Sequence, residues 1–240
     1  MKDFDTLITS VLNDTNFRQN QYFKSLRDGS FEKLDFIETQ IQFYFAVVFF
    51  SRPMAALAAK IPTADMRIEI LRNVWDEHGE GQLGHGHGST FLEFLNRIGG
   101  ISKADVEARS LWPEVRIFNT CLSGTSVLDE YVVGVGMLGI IERMFSEISA
   151  EIGKGIIERK WLTEETMIHY KLHEKLDIRH SDDFFEVLRT PFAASSHNRY
   201  LIEQGLRMGA TVFNDLYAGL FRSRSRRSMM DEALLPSSRP

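Results

Sequence analysis

Six of the seven histidines fall in two windows, 78–87 and 169–180. The second window holds His173, Asp177 and His180 at i, i+4 and i+7. On an α-helix these three share one face and span only about 10 Å along the axis at ~1.5 Å per residue. Two imidazoles and a carboxylate aimed at one point are nitrogen and oxygen donors suited to iron or manganese. An exposed amphipathic helix carrying His and Asp by chance is the competing explanation. The first window supplies Glu77, then His78, His85 and His87 around Gly79, Gly81, Gly84, Gly86 and Gly88. Backbone this rich in glycine can swing a ligand into place, so spacing leaves His85 and His87 both open. A helical face continuing through Phe91, Phe94 and Ile98 starts from His87, and His85 falls outside it. Glu142 is the third element. It follows Gly134, Gly136 and Gly139 and the apolar Met137, Leu138, Ile140 and Ile141. A carboxylate in an apolar helix is costly unless it is paired or bound to a metal. The alternative is a solvent-facing Glu142 paired with Arg143 or Lys154. Together, three segments offer three carboxylates and three imidazoles, enough for two metal ions with open positions.

Helices must position these groups. The sequence has only six prolines, sparse punctuation that suits long helices. Steps of three and four between apolar residues predict a helix over 31–48, kinked or broken at Ser51, Arg52 and Pro53, and a second over 64–77. The glycines at 78–88 predict a loop or distorted helix. A short helix over 91–98 closes on Gly99 and Gly100. Longer helices are predicted over 126–152, over 163–188 with Thr163 at its start and Pro191 at its end, and over 197–221. No stretch alternates as a half-buried strand does, and there is no internal repeat or long linker. The reading is one all-α domain, 1–221, followed by a basic tail, 222–240, that carries Arg222, Arg224, Arg226 and Arg227 and ends frayed in solvent.

Composition narrows the partners. The chain has 240 residues, 43 % hydrophobic and 25 % charged, with a net charge of −5, a poor match for nucleic-acid binding. Cys121 is the single cysteine, so no intramolecular disulfide forms, and a reducing compartment is expected. The acidic start has no signal-like apolar core, and no stretch reaches the ~20 apolar residues of a membrane span. A cytoplasmic globular protein is expected. Gly134, Gly136 and Gly139 match the dinucleotide fingerprint but lie inside a predicted helix with no strand before them, so close helix packing or room for a bound group explains them better. There is no His-Glu-x-x-His, and none of the Glu-x-x-His repeats of ferritin-like di-iron bundles.

The set Glu77, His87, Glu142 and His173-x-x-x-Asp177-x-x-His180, in this order, with Asp-Glu-x-Gly at 76–79, resembles the haem-oxygenase-like di-iron oxidases and oxygenases over roughly residues 20–215. The resemblance implies a seven-helix bundle of the haem-oxygenase type without haem. It implies two iron ions loaded as Fe2+, with O2 as co-substrate and an external reductant. In family terms Glu142 would bridge the irons, Glu77, His87 and His180 would complete one site, and His173 and Asp177 the other, with Glu77 and Glu142 also counted as catalytic. Family substrates are fatty acids and amino acids or their derivatives, and the products are alkenes, N-oxygenated compounds or nitriles. Within the family this sequence looks most like a nitrile-forming member, which converts a brominated tryptophan into an indole-3-carbonitrile. N-oxygenation, alkene formation and a metal-free, thiaminase-type activity using Cys121 are the alternatives, as is a non-catalytic binding bundle. Phe43, Tyr44 and Phe45, with Phe49 and Phe50, are the expected substrate wall, although ordinary core is the simpler reading of these rings. Arg52, Arg179 or Arg189 would bind a substrate carboxylate. Neither nucleic acid nor membrane is expected as a partner. Oligomeric state stays open, with a homodimer among the options.

Overall fold

The computed structural model describes residues 3–230. Their α-helices are α1 (Phe4–Thr15), α2 (Gln21–Asp28), α3 (Lys33–Ala58), α4 (Ala64–Glu77), α5 (His87–Gly99), α6 (Lys103–Glu107), α7 (Pro113–Leu128), α8 (Tyr131–Glu158), α9 (His169–Ala194) and α10 (Ser196–Arg222). Two 3-10 turns, Gly79–Gly81 and Leu83–His85, join α4 to α5. The described residues contain no strand, only an isolated bridge between Arg109 and Met229. The all-α single domain is as expected, with ten α-helices among the described residues where the resemblance implies seven. The difference includes α2 and α6, which are too short to announce themselves by periodicity.

The centre of the bundle is α8, apolar on nearly every side and buried from Val132 to Ile156 with few interruptions. A helix that is apolar all round belongs inside a core. It packs along α9 on one side and α10 on another. Small residues let the backbones approach. A Cβ on Gly136 would stand 3.2 Å from the Ile202 carbonyl, and one on Gly205 only 2.3 Å from the Val133 carbonyl. Gly134 and Gly139 face Leu57 and the Phe184–Phe185 pair. The glycine pattern at 134–139 is therefore a packing surface.

On the far side, α3 lies against α4, α5 and α7. By length and composition α3 is apolar enough to cross a membrane, with a mean hydropathy of 1.4 over its best window. Its buried polar residues are nevertheless matched to partners in this fold. Gln42 accepts from the Trp112 N–H and donates to the Ser110 carbonyl, Gln40 donates to the Tyr22 hydroxyl and accepts from that of Tyr170, and Glu38 pairs with Arg109. It is a core helix.

Several boundaries differ from expectation. Pro53 does not break α3, and Pro191 lies inside α9. Each removes one backbone donor, but the flanking residues stay packed, which outweighs the lost hydrogen bond. The helix expected over 126–152 is two helices, because Asp129 is extended and its carboxylate accepts from the Glu130 N–H. Thr163 opens a turn closed by Thr166, and α9 begins only at His169. The basic segment does not fray at 222. Over 223–230, Arg224 and Arg227 pair with Asp35, Arg226 pairs with Glu114, and the Met230 N–H donates to the Ala108 carbonyl. Residues 231–240 lie outside the described residues.

Candidate metal centre

Glu77 is the last residue of α4. The chain then turns sharply: Gly79, Glu80 and Gly81 all have positive φ, a conformation glycine adopts without strain. Gly86 caps α5, and His87 is its first residue. This detour returns His87 to the end of α4, with its Nδ1 2.8 Å from Glu77 Oε1. His87 is buried, whereas His78 and His85 are exposed. Of the alternatives open in the sequence, His87 is the imidazole that faces inward.

α9 presents His173, Asp177 and His180 on one buried face, with exposures of 3 %, 0 % and 0 %. His173 Nδ1 lies 2.9 Å from Asp177 Oδ1. His180 Nδ1 lies 3.8 Å from Asp177 Oδ1 and 3.9 Å from Glu142 Oε1. Glu142 comes from the middle of α8 and is 3 % exposed. Arg143 instead bonds Ser181 and Asp182, and Lys154 pairs with Glu158, so neither offsets the Glu142 charge. Glu77, Glu142 and His180 each bring a ligand atom within 4.8 Å of the others. The His87 and His173 rings meet edge to face with centroids 4.3 Å apart. The six residues thus converge from α4, α5, α8 and α9.

The electrostatics are unbalanced. Burial pushes Glu77 up, but the His87 imidazole, helped by His173 and His180, holds it below the usual carboxyl range. Burial lowers His87, yet Glu77, Asp177 and Asp76 raise it overall. Glu142 is driven well up by burial and by the Asp177 and Glu77 charges. Burial also drives Asp177 well up, more than the His180 and His87 rings pull it down. His173 is driven well down by burial and by His87. Several buried polar atoms have no hydrogen-bond partner, among them Glu142 Oε1, His173 Nε2 and His180 Nδ1. Such atoms ordinarily cost ~1–3 kcal/mol each. Here they gather at one place and are nitrogen and oxygen bases. A divalent ion would satisfy them and reverse the local charge balance, and nitrogen and oxygen donors of this kind suit Fe2+.

Two residues not singled out in the sequence join the cluster. Asp76 Oδ2 lies 3.3 Å from His180 Nε2 and also pairs with Arg179. Its place immediately before Glu77 was the available signal. His169, one turn before His173, is fully buried, and its ring centroid lies 4.2 Å from that of His173.

A cavity of about 40 Å³ adjoins the centre. Phe43, Ala46, Val47, Phe50, Phe118, Ile141, Phe145 and Phe213 wall it, and Glu77, His87, Glu142 and His173 close one end. Of the expected wall residues Phe43, Tyr44 and Phe45, only Phe43 faces it. Consecutive helical residues point ~100° apart, so the inward face of α3 reads Phe43, Ala46, Val47, Phe50. Tyr44 lines a second cavity of about 340 Å³ that reaches Glu77 and His87 from another side, and Phe45 lines neither. Arg52, Arg179 and Arg189 also line neither cavity. Arg52 covers Phe49, Arg179 holds Asp76, and Arg189 pairs with Asp5 and Glu186. Cys121, half-buried on α7, is likewise outside both linings.

Known proteins share this framework. The chain is 19 % identical over 190 residues to the 4-aminobenzoate synthase of Chlamydia pneumoniae, covering 79 % of this chain and 83 % of that protein. A domain of unknown function with a haem-oxygenase-like fold from Shewanella denitrificans superposes with a TM-score of 0.76 at 15 % identity, covering 93 % of this chain and 94 % of that one. A TenA homologue from Pseudomonas syringae gives 0.71 at 16 % identity, covering 89 % and 92 %. These structural likenesses establish the haem-oxygenase-like fold. The sequence profile of a haem-oxygenase-like family described as iron-containing redox enzymes matches residues 38–213, and the chain belongs to that family.

Proposed function

We propose that this protein is a non-haem di-iron oxidase that activates O2 and acts on an amino acid with an aromatic side chain, specifically converting a tryptophan, brominated or not, into an indole-3-carbonitrile. The observation that carries the metal reading is the buried cluster of unpartnered bases on Glu142, His173 and His180. In this reading Glu77, His87 and His180 would hold one ion, His173 and Asp177 would hold the other, and Glu142 would contribute to both. Bound iron supplies the binding and reduction of O2, with electrons from an external reductant.

The remaining work falls to the chain. The apolar walls exclude water from the reacting atoms. Phe43, Phe118, Phe145 and Phe213 offer ring edges and faces to an aromatic substrate. The present volume holds no more than a few waters, so these rings must turn to admit an indole. Glu77 lines both cavities. Held ionised by His87, its carboxylate can accept a hydrogen bond from a substrate ammonium group. Among the described residues lining the two cavities, Lys103 is the one lysine or arginine; it is exposed and pairs with Glu107 at 3.5 Å, and exchange of that partner would let it meet a substrate carboxylate. Cys121 is placed away from both cavities, which disfavours a thiol-based, metal-free reaction.

An aminobenzoate-forming reaction is the second reading, favoured by the match to the Chlamydia pneumoniae synthase over most of both chains. One experiment separates them: anaerobic loading with Fe2+, addition of aromatic amino acids, then O2 and mass spectrometry. A nitrile that keeps the amine nitrogen and has two carbons fewer than the tryptophan supports the first reading. 4-Aminobenzoate supports the second, new N–O bonds or an alkene point to other family chemistry, and iron-loaded protein that consumes no O2 with any substrate overturns the oxidase reading.

A further inference from the structure

We propose that the substrate binds across both cavities, its charged amino-acid end in the larger one and its side chain carried past Val47 into the apolar one, so that Val47 determines which side chains reach the metal centre. The inference rests on the amino-acid reading above and gives the two halves of that substrate separate places in the fold.

Size separates the cavities first. Small-molecule sites measure about 300–1,000 Å³. The cavity beside Tyr44 has about 340 Å³, whereas the one walled by phenylalanines has about 40 Å³. Only the larger takes the backbone portion of an amino acid without rearrangement. Chemistry separates them in the same sense. An amino acid carries an ammonium and a carboxylate, and burying either without partners is costly. Tyr44, Ser51 and Ser89 bring hydroxyls to the larger cavity, and Lys103 brings a cation. Apart from the candidate metal ligands, the smaller cavity is lined by hydrocarbon side chains alone, which suit the substrate's own side chain.

One helix builds both spaces. Phe43, Ala46, Val47 and Phe50 of α3 face the apolar cavity, and Tyr44, Val47, Val48 and Ser51 face the larger one. Each set runs at i, i+3, i+4 and i+7, a single stripe of a helix. The two stripes are neighbours and share Val47. Glu77 and His87 are the other described residues in both linings, so the way from one cavity to the other runs between Val47 and the Glu77–His87 pair. Gly88 holds α5 close to α3 beside it. A Cβ there would stand 2.8 Å from Val48 Cγ1 and 4.0 Å from the Tyr44 hydroxyl. With the helices this near, the side chain at position 47 sets the width of the passage.

The test is anaerobic titration calorimetry of the Fe2+-loaded full chain with L-tryptophan and L-alanine, which share the charged end and differ in the side chain. Val47→Phe should weaken tryptophan binding at least ~10-fold and leave alanine within about twofold of wild type. Val47→Ala, which cannot overfill the wall, should strengthen tryptophan binding and leave alanine unchanged. Tyr44→Phe removes a hydroxyl from the larger cavity only and should weaken both amino acids alike, by about 3–10-fold. Unchanged tryptophan affinity in both Val47 variants, or equal loss of both amino acids in Val47→Phe at wild-type iron content, overturns the role of Val47. Wild-type protein that binds tryptophan but no alanine at millimolar concentration, or a Tyr44→Phe variant that binds both as wild type does, overturns the placement of the charged end. Wild-type protein that binds neither overturns the amino-acid reading, and this inference with it.

Discussion

Glu142 Oε1 and His180 Nδ1 face each other across 3.9 Å, and neither has a hydrogen-bond partner. The gap is too long for a hydrogen bond. It suits two ligands of one ion, since first-row metals bind such atoms at about 2.0–2.2 Å. The contact joins the middle of α8 to α9, the pair of helices at the heart of the bundle. A metal bound there would tie α8 to α9.

The buried carboxyl of Glu142 makes the metal-free protein sensitive to pH. Its folded-state pKa is raised well above 4.5. Above about pH 4.5 the unfolded chain has released a proton that the folded chain still holds, so this group's contribution to stability falls as pH rises toward the folded pKa. Glu142→Gln removes that dependence. Urea unfolding of metal-free protein should find the variant more stable than wild type at about pH 8, by roughly 1.4 kcal/mol for each unit the pKa is raised, and the gap should close below about pH 4. Addition of Fe2+ should reverse the order, since bound ligand stabilises only the protein that holds it.

Asp76 orients His180 from outside the cluster while Arg179 holds Asp76. Asp76→Asn should weaken iron binding by roughly 10–100-fold with little change in the thermal unfolding of the metal-free protein. Competitive chelator titration measures the first quantity and calorimetry the second.

Much of this was legible in the sequence. The spacing of His173, Asp177 and His180 fixes a shared helical face before any coordinates exist, and an apolar run around Glu142 signals a buried charge. α4 was readable end to end because apolar Ile70 and Val74 mark its face and the glycines after Glu77 mark its stop. The return of His87 to Glu77 was not readable, since it depends on three successive left-handed residues. His169 carried a signal in its four-residue spacing from His173. Its contact with Thr90, 79 residues distant in the chain, emerges only from the fold. Phe45, which lines neither cavity, shows how an aromatic run misleads. Composition identifies the helix, but only the 100° turn per residue selects Phe43 and Phe50.

The cavity wall can be tested apart from the metal. Ala46 is buried, and its Cβ faces the space beside Glu142. Ala46→Phe should fill that space and lower kcat/KM for an aromatic amino acid by about 100-fold, roughly 2.7 kcal/mol of transition-state stabilisation. Iron content should stay at the wild-type level. Steady-state O2 uptake and iron analysis on the same preparation check both.

Helix packing sets the frame. A Cβ on Gly205 would meet the Val133 carbonyl at 2.3 Å and force α10 away from α8. Gly205→Ala should destabilise the protein by about 1–3 kcal/mol, read as a lower denaturation midpoint with an unchanged slope. The same change at Gly100, which has no atom within 4 Å of its added Cβ but a φ of +68°, should cost less, because only backbone strain and no collision opposes it.

The central claim is that Glu142 lies between two iron ions. Crystals of protein loaded anaerobically with Fe2+, measured for anomalous scattering at the iron edge, test it directly. The account predicts two anomalous peaks, both within bonding distance of the Glu142 carboxylate, one beside Glu77, His87 and His180 and the other beside His173 and Asp177. Peaks confined to surface carboxylates, or no peak near Glu142 in fully loaded protein, would contradict it.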